Sequence, residues 1–120
     1  MKPKISGTGF GSITIEGNTY GHDVIIRLNG DVKKRKKKLS RAIFGTSHIV
    51  SLQEAEQVYE NSATRLIIGA GQYGLLKLSD EAKDFLKEKK CSFAIAPTPE
   101  AIKIWNAAGE KAIGLFHVTC

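Results

Sequence analysis

A chain of 120 residues, 42% of them hydrophobic, is the size of one domain and can bury a core without disulfide or metal staples. It has no apolar run of the roughly 18 residues that cross a membrane, and its N-terminus lacks the apolar stretch of about 7 to 15 residues of a secretory signal, so no membrane role and a cytoplasmic location are expected. The net charge of +6 is concentrated: Lys33, Lys34, Arg35, Lys36, Lys37 and Lys38 supply six of the 18 cations, and the remaining 12 balance the 12 acids.

The first third alternates short apolar segments with glycine-rich turns, the pattern of half-buried antiparallel strands. Ile13 and Ile15 share a face, the turn at Glu16-Gly17-Asn18 returns the chain through Tyr20, and a strand over 23–28 meets Asn29-Gly30. That dipeptide is a strong hairpin signal because both residues accept positive φ. The result is an antiparallel β section over 1–38. Its last strand runs into the lysine tract, where repulsion and hydration guard an exposed edge.

After a connection over 45–50 the rhythm changes. Ser51 and Glu54 form a capping box, and Leu52, Ala55, Val58 and Tyr59 fall on one helical face. Residues 65–69 are a continuous apolar run, as in a strand covered on both faces. Ser79-Asp80-Glu81 opens a second helix that closes at Lys87, Lys89 and Lys90, with Ala82, Phe85 and Leu86 inward. Ser92-Phe93-Ala94-Ile95-Ala96 reads as the next interior strand. Thr98 then caps a third helix with Pro99 at its first helical position, Ala101, Ile102, Trp105 and Ala108 inward, and Gly109 as a left-handed stop. Residues 112–118 form the last strand. The helix and βαβαβ section over 51–120 requires a parallel crossover, so the single domain 1–120 is a layered α/β protein.

Four features could carry chemistry. Gly69-Ala70-Gly71-Gln72-Tyr73-Gly74 is a formal G-x-G-x-x-G after an apolar strand, but the next helix starts too late and Ala96-Pro97-Thr98 stands where a ribose-binding acid belongs, so no dinucleotide or other cofactor is expected. Its glycines serve turn geometry, or its amides hold an anion. Gly45-Thr46-Ser47-His48 offers two hydroxyls and an imidazole, either as proton-moving groups or as local turn and packing residues. Cys91 and Cys120 form no CxxC pair and are expected as free thiols; His117 and Cys120 point to opposite faces of a strand, so no metal site is expected. The lysine tract lacks interleaved aromatics and a helix to enter a groove, which leaves nucleic acid as the third-ranked partner.

Taken together, Gly45-Thr46-Ser47-His48, Gly69-Ala70-Gly71-Gln72-Tyr73-Gly74, Thr98 ahead of a helix carrying Asn106, and His117-Val118-Thr119-Cys120 resemble a small single-domain family of unknown function. That family is shared by archaea and bacteria and is related to the adipogenesis-associated domain protein and the mitochondrial complex I assembly factor of animals. The resemblance implies a three-layer α/β fold with a mixed central sheet, an N-terminal antiparallel meander and three helices. It carries over no catalytic residues. Thr46, Ser47, His48, Gly69, Gly71 and Gly74 match its motifs and are the candidate ligand-binding positions. The chain departs from the assembly-factor branch in its lysine tract and in having nothing that reads as a mitochondrial transit segment.

With no complete catalytic constellation, the first expectation is a non-enzymatic protein-binding or assembly module whose partner is another protein or a second copy. It requires an exposed apolar patch. The alternative is a binding protein or enzyme for a small anionic molecule, with its site near the 45–48 and 69–74 loops. That reading requires His48 within about 10 Å of the glycine loop, because acid–base work needs hydrogen-bond reach.

Overall fold

Alternation and turn chemistry build the first half of the computed structural model, which describes residues 2–120. Strands β1 (Ile5–Gly9), β2 (Ser12–Ile15) and β3 (Asn18–Tyr20) form an antiparallel three-stranded sheet. Glu16 and Gly17 both take positive φ, 48° and 81°, in the tight two-residue turn between β2 and β3. Strands β4 (Val24–Ile26) and β5 (Val32–Lys34) form the second hairpin. Here only Gly30 is left-handed, at φ 91°; it follows a turn closed by its amide on the Arg27 carbonyl. Asn29 keeps negative φ, and its side-chain oxygen accepts from the Asp31 amide at 2.9 Å. The hairpin forms, but through a longer loop than Asn29-Gly30 alone would make.

The lysine tract differs from a simple solvated edge. Only Val32–Lys34 is strand, and it does lie at the edge of the larger sheet. Arg35 then turns into the interior, and the chain coils into α1 (Lys38–Phe44), a fourth helix not anticipated from the sequence. Like charges at its start oppose this helix. Two local features support it: Gly45 at φ 70° supplies a left-handed stop, and buried Ser40 donates to Glu54 and accepts from the Ser51 amide.

The later elements follow their caps: α2 (Leu52–Val58), β7 (Arg65–Ala70), α3 (Asp80–Glu88), β9 (Ser92–Ala96), α4 (Thr98–Ala107) and β10 (Ala112–His117). The connection 45–50 and the stretch after the glycine loop contribute a two-stranded parallel pair, β6 (Ile49–Val50) with β8 (Lys77–Leu78). Ser51 and Ser79 accept from the Glu54 and Ala82 amides as N-caps. Two expected caps take other roles. Helix α4 ends on Ala108 in extended conformation, and Gly109 lies outside the left-handed region. Thr98 makes no cap bond; its hydroxyl accepts from Gly71 N at 2.9 Å and donates to the His117 carbonyl at 2.6 Å.

The central sheet has the order β5-β4-β10-β7-β9, parallel between β10, β7 and β9 and antiparallel between β10, β4 and β5. One of its faces packs on α2 and α3 through Ala55, Val58, Ala82 and Leu86. The other packs on α4 and the small sheet through Trp105, Ala101, Ile5, Ile13 and Ile15. This is a three-layer α/β domain with a mixed central sheet. Because β10 inserts between β4 and β7, the strand expected inside, β9, is left at the edge. Among the described residues, no helix is long and apolar enough to cross a membrane.

Candidate functional site

The amides of the glycine loop are already engaged within the chain. Gly71 N donates to Thr98 Oγ1, Gln72 N to the Thr119 carbonyl, Tyr73 N and Leu75 N to the Cys120 carbonyl, and Gly74 N to Gly71. Each glycine has a steric reason. A Cβ on Gly69 would lie 2.8 Å from both Phe116 Cδ1 and Thr98 Oγ1, where α4 packs against β7. One on Gly71, at φ 93°, would lie 2.2 Å from the Cys120 carbonyl carbon, and one on Gly74, at φ 69°, would sit 3.2 Å from Pro97 Cγ. The loop is shaped to hold the strand end at 119–120 and the start of α4.

The 45–48 segment meets the glycine loop through one intermediary. Thr46 Oγ1 accepts from the His48 amide at 3.1 Å, a local turn bond, and the Ser47 carbonyl accepts from Arg35 Nη2 at 2.7 Å. The His48 ring lies 5.4 Å from the His117 ring, edge to face, and His117 Cδ2 stands 2.7 Å from where a Gly71 Cβ would be. His117 thus lies between the two segments. The cleft beside the glycine loop is lined by Gly74, Leu76, Pro97 and Ile95, with none of Thr46, Ser47 or His48 in its wall.

His117 belongs to a buried ionic network that joins β10 and α2 to the residues just before β4 and just after β5. Arg35, 3% exposed, gives Nε and Nη2 to the two Glu54 oxygens at 2.6 and 3.0 Å and Nη1 to Asp23 Oδ2 at 2.9 Å. Asp23 also accepts from His117 Nδ1 at 2.7 Å and from the Val118 amide at 2.9 Å. Burial pushes the Asp23 carboxyl up, but the bonds from His117 and Val118, the His117 charge and the Arg35 bond outweigh it and hold the pKa at about 2. Burial likewise opposes the Arg35 charge, yet Glu54 first and Asp23 second raise its pKa above the usual arginine value. An ionised Asp23 only accepts, so His117 carries its proton on Nδ1; in the neutral ring Nε2 then accepts from Thr119 Oγ1 at 3.3 Å.

Sequence reasoning placed Arg35 in a solvated tract, Glu54 in a capping box and Asp23 at a strand start, and so missed this network. Half of the box exists: Ser51 Oγ accepts from Glu54 N, while the Glu54 carboxylate goes to Arg35 and Ser40. Two signals were available. Arg35 is the one arginine in a run of lysines, and guanidinium rather than ammonium suits a two-pronged carboxylate contact. His117 is the single polar residue in an otherwise apolar strand. Cys91 and Cys120 are free thiols, and burial raises the Cys91 pKa. Among the described residues no cluster of His, Cys, Asp and Glu could hold a metal ion.

The apolar surface lies elsewhere. On β9, Phe93 is 36% and Ile95 40% exposed, on the sheet face that α3 only partly covers. Between β9 and α3 runs a cleft of about 540 Å³, continued past Phe93 by a second of about 310 Å³. Lys83, Lys87 and Lys90 line the first and Lys77 the second, with Asp84 as the acid in these walls.

Solved structures share this fold. The chain is 32% identical to the conserved hypothetical protein PH1505 from Pyrococcus horikoshii, with a TM-score of 0.90 over 98% of this chain and 99% of that one. It is 33% identical to the protein MT938, with a TM-score of 0.82 over 99% and 100% of the two chains. A Bordetella pertussis protein described as an Mth938-like domain shares the fold at 15% identity, with a TM-score of 0.63 over 97% of this chain and 85% of that one. The model of a protein family of unknown function, DUF498/DUF598, matches residues 5–116, and the chain belongs to that family.

Proposed function

We propose that the protein is a protein-binding module that receives an extended, acidic and apolar segment of another protein along β9. The observation that carries this reading is the open edge: β9 ends the central sheet, yet it shows Phe93 and Ile95 where sheet edges are ordinarily guarded by charge, proline or a bulge. Parallel pairing to β7 uses the backbone of alternate residues, beginning with Ser92 N on the Thr64 carbonyl. The N–H and C=O of Phe93 and Ile95 therefore face outward, ready to pair with an added strand.

Charge selects the occupant. Lys77, Lys83, Lys87 and Lys90 line the cleft, so a segment alternating valine or isoleucine with glutamate matches both its walls and its floor. A second copy would bring the same lysines against them. The small-anion alternative at 45–48 and 69–74 is weaker, because the glycine-loop amides are spent within the chain.

The test is a titration with a synthetic octapeptide of alternating valine and glutamate, followed by amide hydrogen exchange. Protection of Phe93 and Ile95 amides, lost with a valine–lysine peptide and with Ile95→Pro, is the expected result. No protection, or protection indifferent to peptide charge, overturns the reading. Protection that grows with protein concentration alone would assign the edge to a second copy instead.

A further inference from the structure

The carboxyl end of the parallel strands gathers apolar side chains that the core does not use. Phe10, in the β1–β2 turn, is 63% exposed and Tyr73, in the glycine loop, 71%, yet their rings meet at 6.1 Å. The Gly11 amide donates to the Val118 carbonyl at 2.8 Å and fixes the Phe10 turn at the end of β10. Leu75, exposed as well, leads into Lys77, whose amide donates to the His48 carbonyl at 2.8 Å and so holds the 45–48 connection beside this loop. Just before that connection, α1 ends on exposed Ile43 and Phe44. All five of these large apolar residues stand outside the two core clusters. A helix in a protein is ordinarily stabilised by burying an apolar face, but α1 buries Ser40 instead, and Ser40 and Arg35 pin the segment by bonding to Glu54.

We propose that this end of the molecule docks on an anionic lipid surface. The Phe10–Tyr73 pair and the Ile43-Phe44 tip enter the interface, and the lysine tract lies at the headgroups. Lys34 and Lys37 share a cavity wall with Gly11 and Thr119, which places the tract at the same end of the sheet, and Lys36, Lys38 and Arg41 continue, half-buried or exposed, toward the α1 tip. From Asp31 to Glu54 the sequence holds no further acid, and Glu54 is buried. Aromatic rings favour the lipid–water boundary, and cations beside apolar tips add attraction to anionic headgroups. Projecting side chains on separate turns suit a soft plane better than a protein partner, which would have to match each of them in shape. Aliphatic Ile43 and Leu75 offer no ring on which a base could stack. The expectation of no membrane role rests on the missing spanning run, and docking at the surface requires none.

The test is co-sedimentation of the whole chain with vesicles of phosphatidylcholine, alone or mixed in equal parts with phosphatidylglycerol. Binding to the mixed vesicles only, weakened by added salt, is the expected result. Phe10→Ser with Tyr73→Ser, and separately Lys36→Gln with Lys38→Gln, should each weaken it about tenfold or more. These side chains lie outside the core, so both double variants should keep the wild-type urea midpoint. No binding to the mixed vesicles, equal binding to both kinds, or binding that either double variant leaves unchanged would overturn the proposal. Retention on single-stranded DNA without vesicle binding would overturn it too and assign the face to nucleic acid.

Discussion

Asp23 and His117 lie 94 residues apart in the chain and meet in a 2.7 Å hydrogen bond, where the start of β4 and the end of β10 come side by side in the sheet. Antiparallel pairing of these two strands brings them together, and Arg35 joins from opposite Asp23 at the open end of the β4–β5 hairpin. The bond therefore reports that the N-terminal and C-terminal halves of the chain have assembled.

It also has a pH signature. The Asp23 pKa is about 2 in the folded protein against 3.8 for the free group. A depressed carboxylate contributes stability that is complete above the unfolded pKa and is lost as pH falls toward the folded one. The contribution is on the order of 2 kcal/mol. Urea midpoints of the wild type should therefore fall between about pH 5 and pH 2, and Asp23→Asn should lack most of that fall. Equal slopes for the two proteins would remove Asp23 as the group responsible.

Arg35 and Glu54 form the fully buried pair in this network, with both side chains at 0% exposure. Arg35→Met strands the Glu54 and Asp23 charges inside, for an expected loss of about 3 to 5 kcal/mol. Adding Glu54→Leu should recover part of that loss, because removing both partners of a buried pair costs less than removing one. A double-mutant cycle by urea denaturation measures the coupling; additive losses would mean that the pair does not act as a unit.

Thr98 ties the glycine loop to the central sheet through two buried bonds, from Gly71 N and to His117 O. Thr98→Val keeps the shape and leaves the Gly71 amide without its acceptor, at an expected cost of about 1 to 3 kcal/mol. Thr98→Ser retains the hydroxyl and should cost less. The specific readout is faster hydrogen exchange at the Gly71 amide in the valine variant, and an unchanged rate there would show that the bond is not what protects it.

The parts of this fold that were readable in the sequence are those encoded locally. Caps at Ser51 and Ser79, the inward stripe of Ala82 and Leu86, and the apolar β7 run depend on neighbours within a turn or two. What escaped depends on strand order. Residues 93–96 are apolar whether the strand lies inside or at an edge, and only the insertion of β10 beside β4 decides between the two. The same holds at the candidate sites. Thr46, Ser47, His48 and the three loop glycines stand out by residue type, but what they touch is not written there: Thr46 bonds within its own turn, Ser47 meets Arg35, and His48 and the glycines meet the end of β10 or the start of α4. Arg35 looked like one more solvated cation because its partners, Asp23 and Glu54, are 12 and 19 residues away.

Two glycines separate steric need from sequence habit. Gly71 sits at φ 93° with the Cys120 backbone 2.2 Å from any added Cβ, so Gly71→Ala must move backbone as well as accept a left-handed residue. The expected loss is about 3 kcal/mol or more. Gly109, read from the sequence as a helix stop, lies outside the left-handed region and has nothing within 4 Å of an added Cβ. Gly109→Ala should be neutral or stabilise by up to about 1 kcal/mol, through reduced freedom of the unfolded chain. A left-handed stop would give the opposite sign, so the direction of the urea-midpoint shift for this one variant decides whether α4 ends on Ala108 or on the glycine.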